Sequence, residues 1–107
     1  MAKQIVISYE GKDYTLEFNR KVVKQMEEGG FTIDTARPAT MITELFKGAF
    51  RMHHRKIDPA LVEEIWDAQR KKDTLLSTLV QMYTEPIASL MDEDEQAEDE
   101  NPTWKVL

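Results

Sequence analysis

Apolar residues in this chain recur with a period of two as far as Phe18, and with periods of three and four from Val22 onward. A period of two puts side chains on one face of a strand, whereas alternating steps of three and four put them along one side of a helix. The switch therefore assigns the start of the chain to a β element and most of the rest to helices. Gly11-Lys12 reads as a two-residue type II′ turn, with Gly at its first position. That turn pairs Tyr9 with Tyr14, Ile7 with Leu16 and Ile5 with Phe18 on one apolar face. Val6, Ser8, Thr15 and Glu17 take the other face. A lone hairpin is marginal in water, so its apolar face must rest on helices.

The helical part divides at its own punctuation. Asn19 suits an N-cap, Phe18 and Val23 occupy the two hydrophobic-staple positions, and Gly29-Gly30 stops the first helix. Phe31 and Ile33 are expected to anchor the loop that follows. Pro38 opens a second helix whose stripe is Met41, Ile42, Leu45, Phe46, Ala49 and Phe50. Asp58-Pro59 opens a third, with Leu61, Val62, Ile65 and Trp66 on its apolar side. Asp73 caps a fourth through Leu75, Leu76, Leu79, Val80, Met82 and Tyr83, and Pro86 kinks it or starts a short fifth helix, 86–91. The reading is a mainly α, α+β domain over 1–91: a hairpin at 4–18 packed on a bundle of four to five helices, at about 19–28, 38–55, 58–70 and 73–91.

Charge separates the remainder. Asp92 to Glu100 reads DEDEQAEDE, seven carboxylates in nine residues, while residues 1–91 hold thirteen Lys/Arg and thirteen Asp/Glu. The net charge of −6 therefore belongs to 92–107, which is expected to be a disordered acidic tail, because like charges at that density repel and stay solvated. Beyond it, Thr103-Trp104-Lys105-Val106-Leu107 forms a short apolar hook, and Trp is enriched where proteins bind one another. Trp104 and Val106 are accordingly candidate partner contacts.

Several function classes are excluded or disfavoured. With no cysteine, disulfides and thiolate metal sites are ruled out. Nothing resembles a signal peptide or a membrane-spanning apolar run, so a soluble cytosolic protein is expected, with no membrane partner. His53 and His54 are adjacent, and neighbours on a helix point about 100° apart, so they do not chelate one ion. With Arg55 and Lys56 they read as a last helical turn complementing the helix dipole, and Arg70-Lys71-Lys72 reads the same way. A neutral body with an acidic tail lacks the sustained positive surface that nucleic acid requires. Gly29-Gly30 lacks phosphate-loop spacing, and Ser8, Ser77 and Ser89 lack a nucleophile-elbow context. No catalytic residue, metal site or cofactor is expected. Of the six methionines, Met52 lies off the main stripe of its helix and is the one expected to face a partner. A rival reading takes the carboxylate run as an acidic DNA mimic or regulator of a nucleic-acid enzyme, although a mimic should spread its charge over a folded face.

Three stretches, ISYEGKDYTLEFNRKVVKQMEEGGF (7–31), MITELFKGAFRMHHR (41–55) and LVQMYTEPIASLMDEDE (79–95), together with the ending NPTWKVL, resemble the small tail assembly chaperones of phages and prophages. The resemblance runs in order along nearly the whole chain. It implies a non-catalytic protein of the bacterial cytoplasm, absent from the mature virion. Such a protein binds and solubilises the tape measure protein and helps bring major tail-tube subunits to it. It also implies a helical core with a small N-terminal β element. A chaperone for helical segments needs an adaptable apolar groove. That groove is expected between the second and fourth helices, with Met52, Trp66 and Tyr83 as contacts. Exposed apolar stripes also make a homo-oligomer an expectation.

Overall fold

The computed structural model describes residues 3–91, which form β1 (Gln4–Tyr9), β2 (Lys12–Glu17), α1 (Arg20–Glu28), α2 (Pro38–Ala49), α3 (Pro59–Ala68) and α4 (Lys72–Ser89). The order is that of an α+β fold, an antiparallel hairpin followed by four helices. The tail and its hook lie outside the described residues.

The hairpin turns one step earlier than the sequence suggested. Ile5 pairs with Leu16, Ile7 with Tyr14 and Tyr9 with Lys12, leaving Glu10 and Gly11 as the turn. Both take positive φ, 50° and 80°. Positive φ at both central residues is the type I′ pattern, whose twist matches that of paired strands. The ladder is therefore slipped by two residues from the expected register. An even slip keeps every side chain on its face, so Ile7, Tyr14, Leu16 and Phe18 are still buried together. Lys12 replaces an aromatic opposite Tyr9, and its ammonium lies 5.3 Å from the Tyr14 ring centre.

The hairpin's apolar face meets two helical surfaces. Tyr14 packs edge-on to Phe50, just past α2, with ring centres 6.0 Å apart. Phe18 stands edge-on to Tyr83 of α4 at 5.4 Å. Leu16, Leu45, Phe46, Phe50, Ile65 and Leu79 are fully enclosed. Each such side chain contributes about 1.5–3 kcal/mol over an exposed one.

Helix ends follow local chemistry. Asn19 caps α1 by accepting the Val22 N–H at 2.8 Å. At its other end Gly30, with φ of 98°, turns the chain so that its N–H reaches the Glu27 carbonyl and Phe31 N–H reaches that of Met26, both at 2.9 Å. This paired arrangement is a Schellman motif. Asp58 caps α3 by accepting the Ala60 N–H. Phe31 anchors its loop against Tyr83 at 5.1 Å, whereas Ile33 is exposed and anchors nothing.

Three expected boundaries move. α2 stops at Ala49, and residues 50–56 continue as turns toward the hairpin. His53, His54, Arg55 and Lys56 therefore lie beyond the helix; only Lys47 stands in its last turn. α3 ends at Ala68, and Lys71, at φ of 55°, makes the corner into α4. Lys72 begins α4 yet reaches back to the carbonyls of Asp67 and Gln69, at 3.2 and 2.8 Å, so one basic residue of the trio closes α3 from outside it. Pro86 sits in the last turn of α4 and starts no separate helix. Lacking an N–H, it offers no helical donor to the carbonyl of Met82, four residues earlier. No helix among the described residues is long and apolar enough to cross a membrane.

Candidate functional site

α2 and α3 enclose a cleft of about 260 Å³. Its α2 wall is Ile42, Thr43 and Phe46, and its α3 wall is Val62, Glu63, Trp66 and Asp67. Four-residue spacing explains the lining. Ile42 and Phe46 stack along one helix, Val62 and Trp66 along the other, and Glu63 and Asp67 form a parallel acidic rim. Phe46 and Val62 are buried and make the floor, while Ile42 and Trp66 are half-buried. The Trp66 ring stands edge-on to Phe46 with centres 4.9 Å apart, which holds the indole in place as one wall. The arrangement is chemically a small apolar slot with two carboxylates at its mouth. It suits an aliphatic or aromatic side chain on a helix that also carries basic residues.

The cleft differs from the expected groove in its partner helix, α3 in place of α4. Trp66 lines it. Met52 is half-buried against the core outside it, and Tyr83 is 2 % exposed in the interior between Phe18 and Phe31. Burial pushes the Tyr83 phenol above its ordinary value of 10.0, with Glu27 acting in the same direction. Trp104 and Val106 lie outside the described residues. Reading stripes alone missed Glu63 and Asp67. Their signal was the repeat at i and i+4 beside Val62 and Trp66.

A second hollow, of about 440 Å³, lies between the end of α1, the loop after it, α2 and the turns that follow α2. Gly29, Gly30 and Gly48 line it, together with Arg37, Lys47, Arg51 and Arg55. A Cβ on Gly48 would fall on the Sδ and Cε atoms of Met26, so the bare glycine leaves room for the end of the Met26 side chain to lie against α2. Among the described residues, Asp34 and Glu44 supply the carboxylates of the lining. Because α2 stops at Ala49 and residues 50–56 are turns, helical spacing does not bring Arg51 and Arg55 beside Lys47, and the basic run read as a helix end gave no signal of the hollow.

The two histidines diverge. His53 Nε2 lies 2.8 Å from a Glu17 carboxylate oxygen, and His54 Nε2 accepts the Thr15 backbone N–H at 3.0 Å. Both tie the 50–56 turns to β2, and among the described residues no group of three His, Asp or Glu side chains is placed to hold a metal ion.

A family profile described as a domain of unknown function, DUF5055, matches residues 1–107. The chain belongs to this family. No curated protein and no solved structure matches it significantly. Among the described residues of this DUF5055 chain, the α2–α3 slot and the basic hollow are two concave surfaces of opposite charge.

Proposed function

We propose that this chain is a non-catalytic tail assembly chaperone of a phage or prophage. It binds the tape measure protein and keeps it soluble in the bacterial cytoplasm. It also helps bring major tail-tube subunits to it, and it is left out of the mature virion. The observation that carries the reading is the α2–α3 slot. It has an apolar floor, a Trp66 wall held by Phe46, and an acidic rim. A long helical client exposes apolar side chains before assembly, and such a slot takes one side chain of an amphipathic helix at a time. The sequence resemblance to tail assembly chaperones supplies the identity of the client.

The test is co-expression with the tape measure protein encoded near this chain. The reading expects the client to become soluble and to co-purify. An insoluble client beside a free, monodisperse 107-residue chain would overturn it.

A further inference from the structure

The basic hollow has no part in the proposed client slot, and its charge is unbalanced. Arg37, Lys47, Arg51 and Arg55 line it against the carboxylates of Asp34 and Glu44, which leaves two positive charges in excess. Among the described residues, none of the four cations has a carboxylate within salt-bridge distance; the pair of His53 with Glu17 is the ion pair present there. All four are exposed. Cations around one concave surface focus a positive potential on the space they share.

Backbone bonds fix the frame that carries these groups. The Arg51 N–H donates to the Gly48 carbonyl at 3.1 Å, and the His54 N–H to that of Phe50 at 2.7 Å, which holds the turns after α2 together. His54 is tied to β2 through the Thr15 N–H, so Arg55 beside it leaves from an anchored point. Before α2, the Arg37 N–H donates to the Asp34 carbonyl at 3.2 Å, and the Asp34 carboxylate accepts the Ala36 N–H at 2.9 Å. Ten residues separate Arg37 from Lys47, about 15 Å along a helix, so one small anion does not meet both. Apolar surface completes the lining: Met26 and Met41 are buried, and Phe31 and Ile57 are half-buried. A hollow of about 440 Å³ lies within the range of small-molecule sites, about 300–1,000 Å³.

We propose that this hollow binds a small phosphate-bearing ligand of mononucleotide size, with its phosphate held by Lys47, Arg51 and Arg55 and its body on the apolar lining. A phosphate monoester carries about 1.5–2 negative charges at neutral pH, which matches the excess, whereas one carboxylate carries half of it. Guanidinium groups also fit phosphate oxygens in pairs of parallel hydrogen bonds. A nucleic-acid backbone offers the same group, but it needs an extended positive surface, and this chain has a net charge of −6 and carboxylates within the hollow itself. The inference does not depend on the proposed client.

The test is a titration of the full-length, isotope-labelled chain with adenosine monophosphate at low salt, read by amide signals. Those of Gly30, Gly48 and Arg51 should shift and saturate together, while those of Thr43 and Asp67 in the α2–α3 slot stay in place. Adenosine, which lacks the phosphate, should bind at least about tenfold more weakly, since it forfeits the charge-assisted bonds. Inorganic phosphate should move Gly48 and Arg51 at lower concentration than succinate does. Arg51→Gln/Arg55→Gln should weaken binding at least about tenfold, its fold being checked by the dispersed signals of Leu16 and Leu79. Should that variant not fold, the adenosine and succinate arms on the unaltered chain still decide. No saturable shift up to about 10 mM adenosine monophosphate would overturn the proposal. So would equal midpoints with adenosine, or equal midpoints for phosphate and succinate. An oligonucleotide that binds far more tightly, through amides outside the hollow, would overturn it in favour of nucleic acid.

Discussion

The backbone N–H of Thr15 donates to Nε2 of His54, thirty-nine residues later, at 3.0 Å. Thr15 pairs with Val6 across the hairpin, and its N–H points away from that partner to the open edge of β2. An open edge donor is costly to bury and invites pairing with other chains. The ring of His54, tilted against that of Tyr14 with centres 5.2 Å apart, closes that position.

This contact makes stability pH-dependent with a definite sign. To accept from Thr15, Nε2 must be unprotonated. Burial, then Lys12, then His53 hold the His54 pKa below its ordinary 6.5. The unfolded chain therefore takes up the proton first as pH falls. The stabilisation is complete above about 6.5 and declines below it toward the lowered folded value. Urea midpoints measured from pH 7.5 to 5.0 should fall for the native protein. His54→Gln retains an acceptor that does not titrate, so it should flatten that slope. His54→Ala should cost about 1–2 kcal/mol at neutral pH, because the Thr15 N–H loses its partner.

Glu17 extends the same seam. Its carboxylate is buried and held by His53 Nε2 and by the Gln4 side-chain amide, each at 2.8 Å. The bond to His53, followed by that to Gln4, keeps the carboxyl below its ordinary 4.5. A depressed carboxylate stabilises the fold above its unfolded value and loses that contribution as pH drops through the folded one. A second, more acidic decline in stability should therefore follow the His54 step. A double-mutant cycle on Glu17→Gln and His53→Gln should give a coupling of about 0.5–1.5 kcal/mol, at the modest end because His53 is partly exposed.

Tyr83 carries the opposite kind of imperfection. Its ring is fully packed against Phe18 and Phe31, yet among the described residues its hydroxyl has no hydrogen-bond partner. Burying an unpaired hydroxyl costs free energy. Tyr83→Phe should accordingly be neutral or raise stability by up to about 1 kcal/mol, whereas Tyr83→Ala should cost about 3–5 kcal/mol through the cavity it leaves. Thermal melts of the two variants decide this. A clear loss in Tyr83→Phe would show that the hydroxyl is satisfied in solution.

Sequence reading worked where a local rule had one solution. Asn19 could cap only the helix it precedes, Gly30 could only stop it, and the period-two face survived a wrong register because the slip was even. It failed where distant segments decided. Gly11 satisfied two turn geometries, and the choice fell on the one that puts Ile5 opposite Leu16. His53 and His54 looked like a continuing helix because their real partners, Glu17 and Thr15, lie on a strand far back in the chain. Tyr83 resembled a stripe-edge residue until Phe31, folded back by the Gly30 corner, covered it. The α2–α3 cleft was half legible: Trp66 was singled out, but the stripe could not reveal which helix would face it.

The acidic rim gives the slot its sharpest test. Trp66 both lines the slot and supports Phe46, so removing it confounds binding with folding. Glu63 and Asp67 are exposed and lie on α3 away from the core. Reversing both to Lys should change the melting temperature little, since exposed charges rarely contribute more than about 1 kcal/mol. A client helix that inserts apolar side chains while placing basic ones at the mouth would lose both attractions and gain two repulsions. Co-purified tape measure protein should then fall about three- to tenfold, and less at high salt than at low. Unchanged capture with an intact fold would place the client on another surface, and the basic hollow, already distinguished by its charge, would be the next to vary.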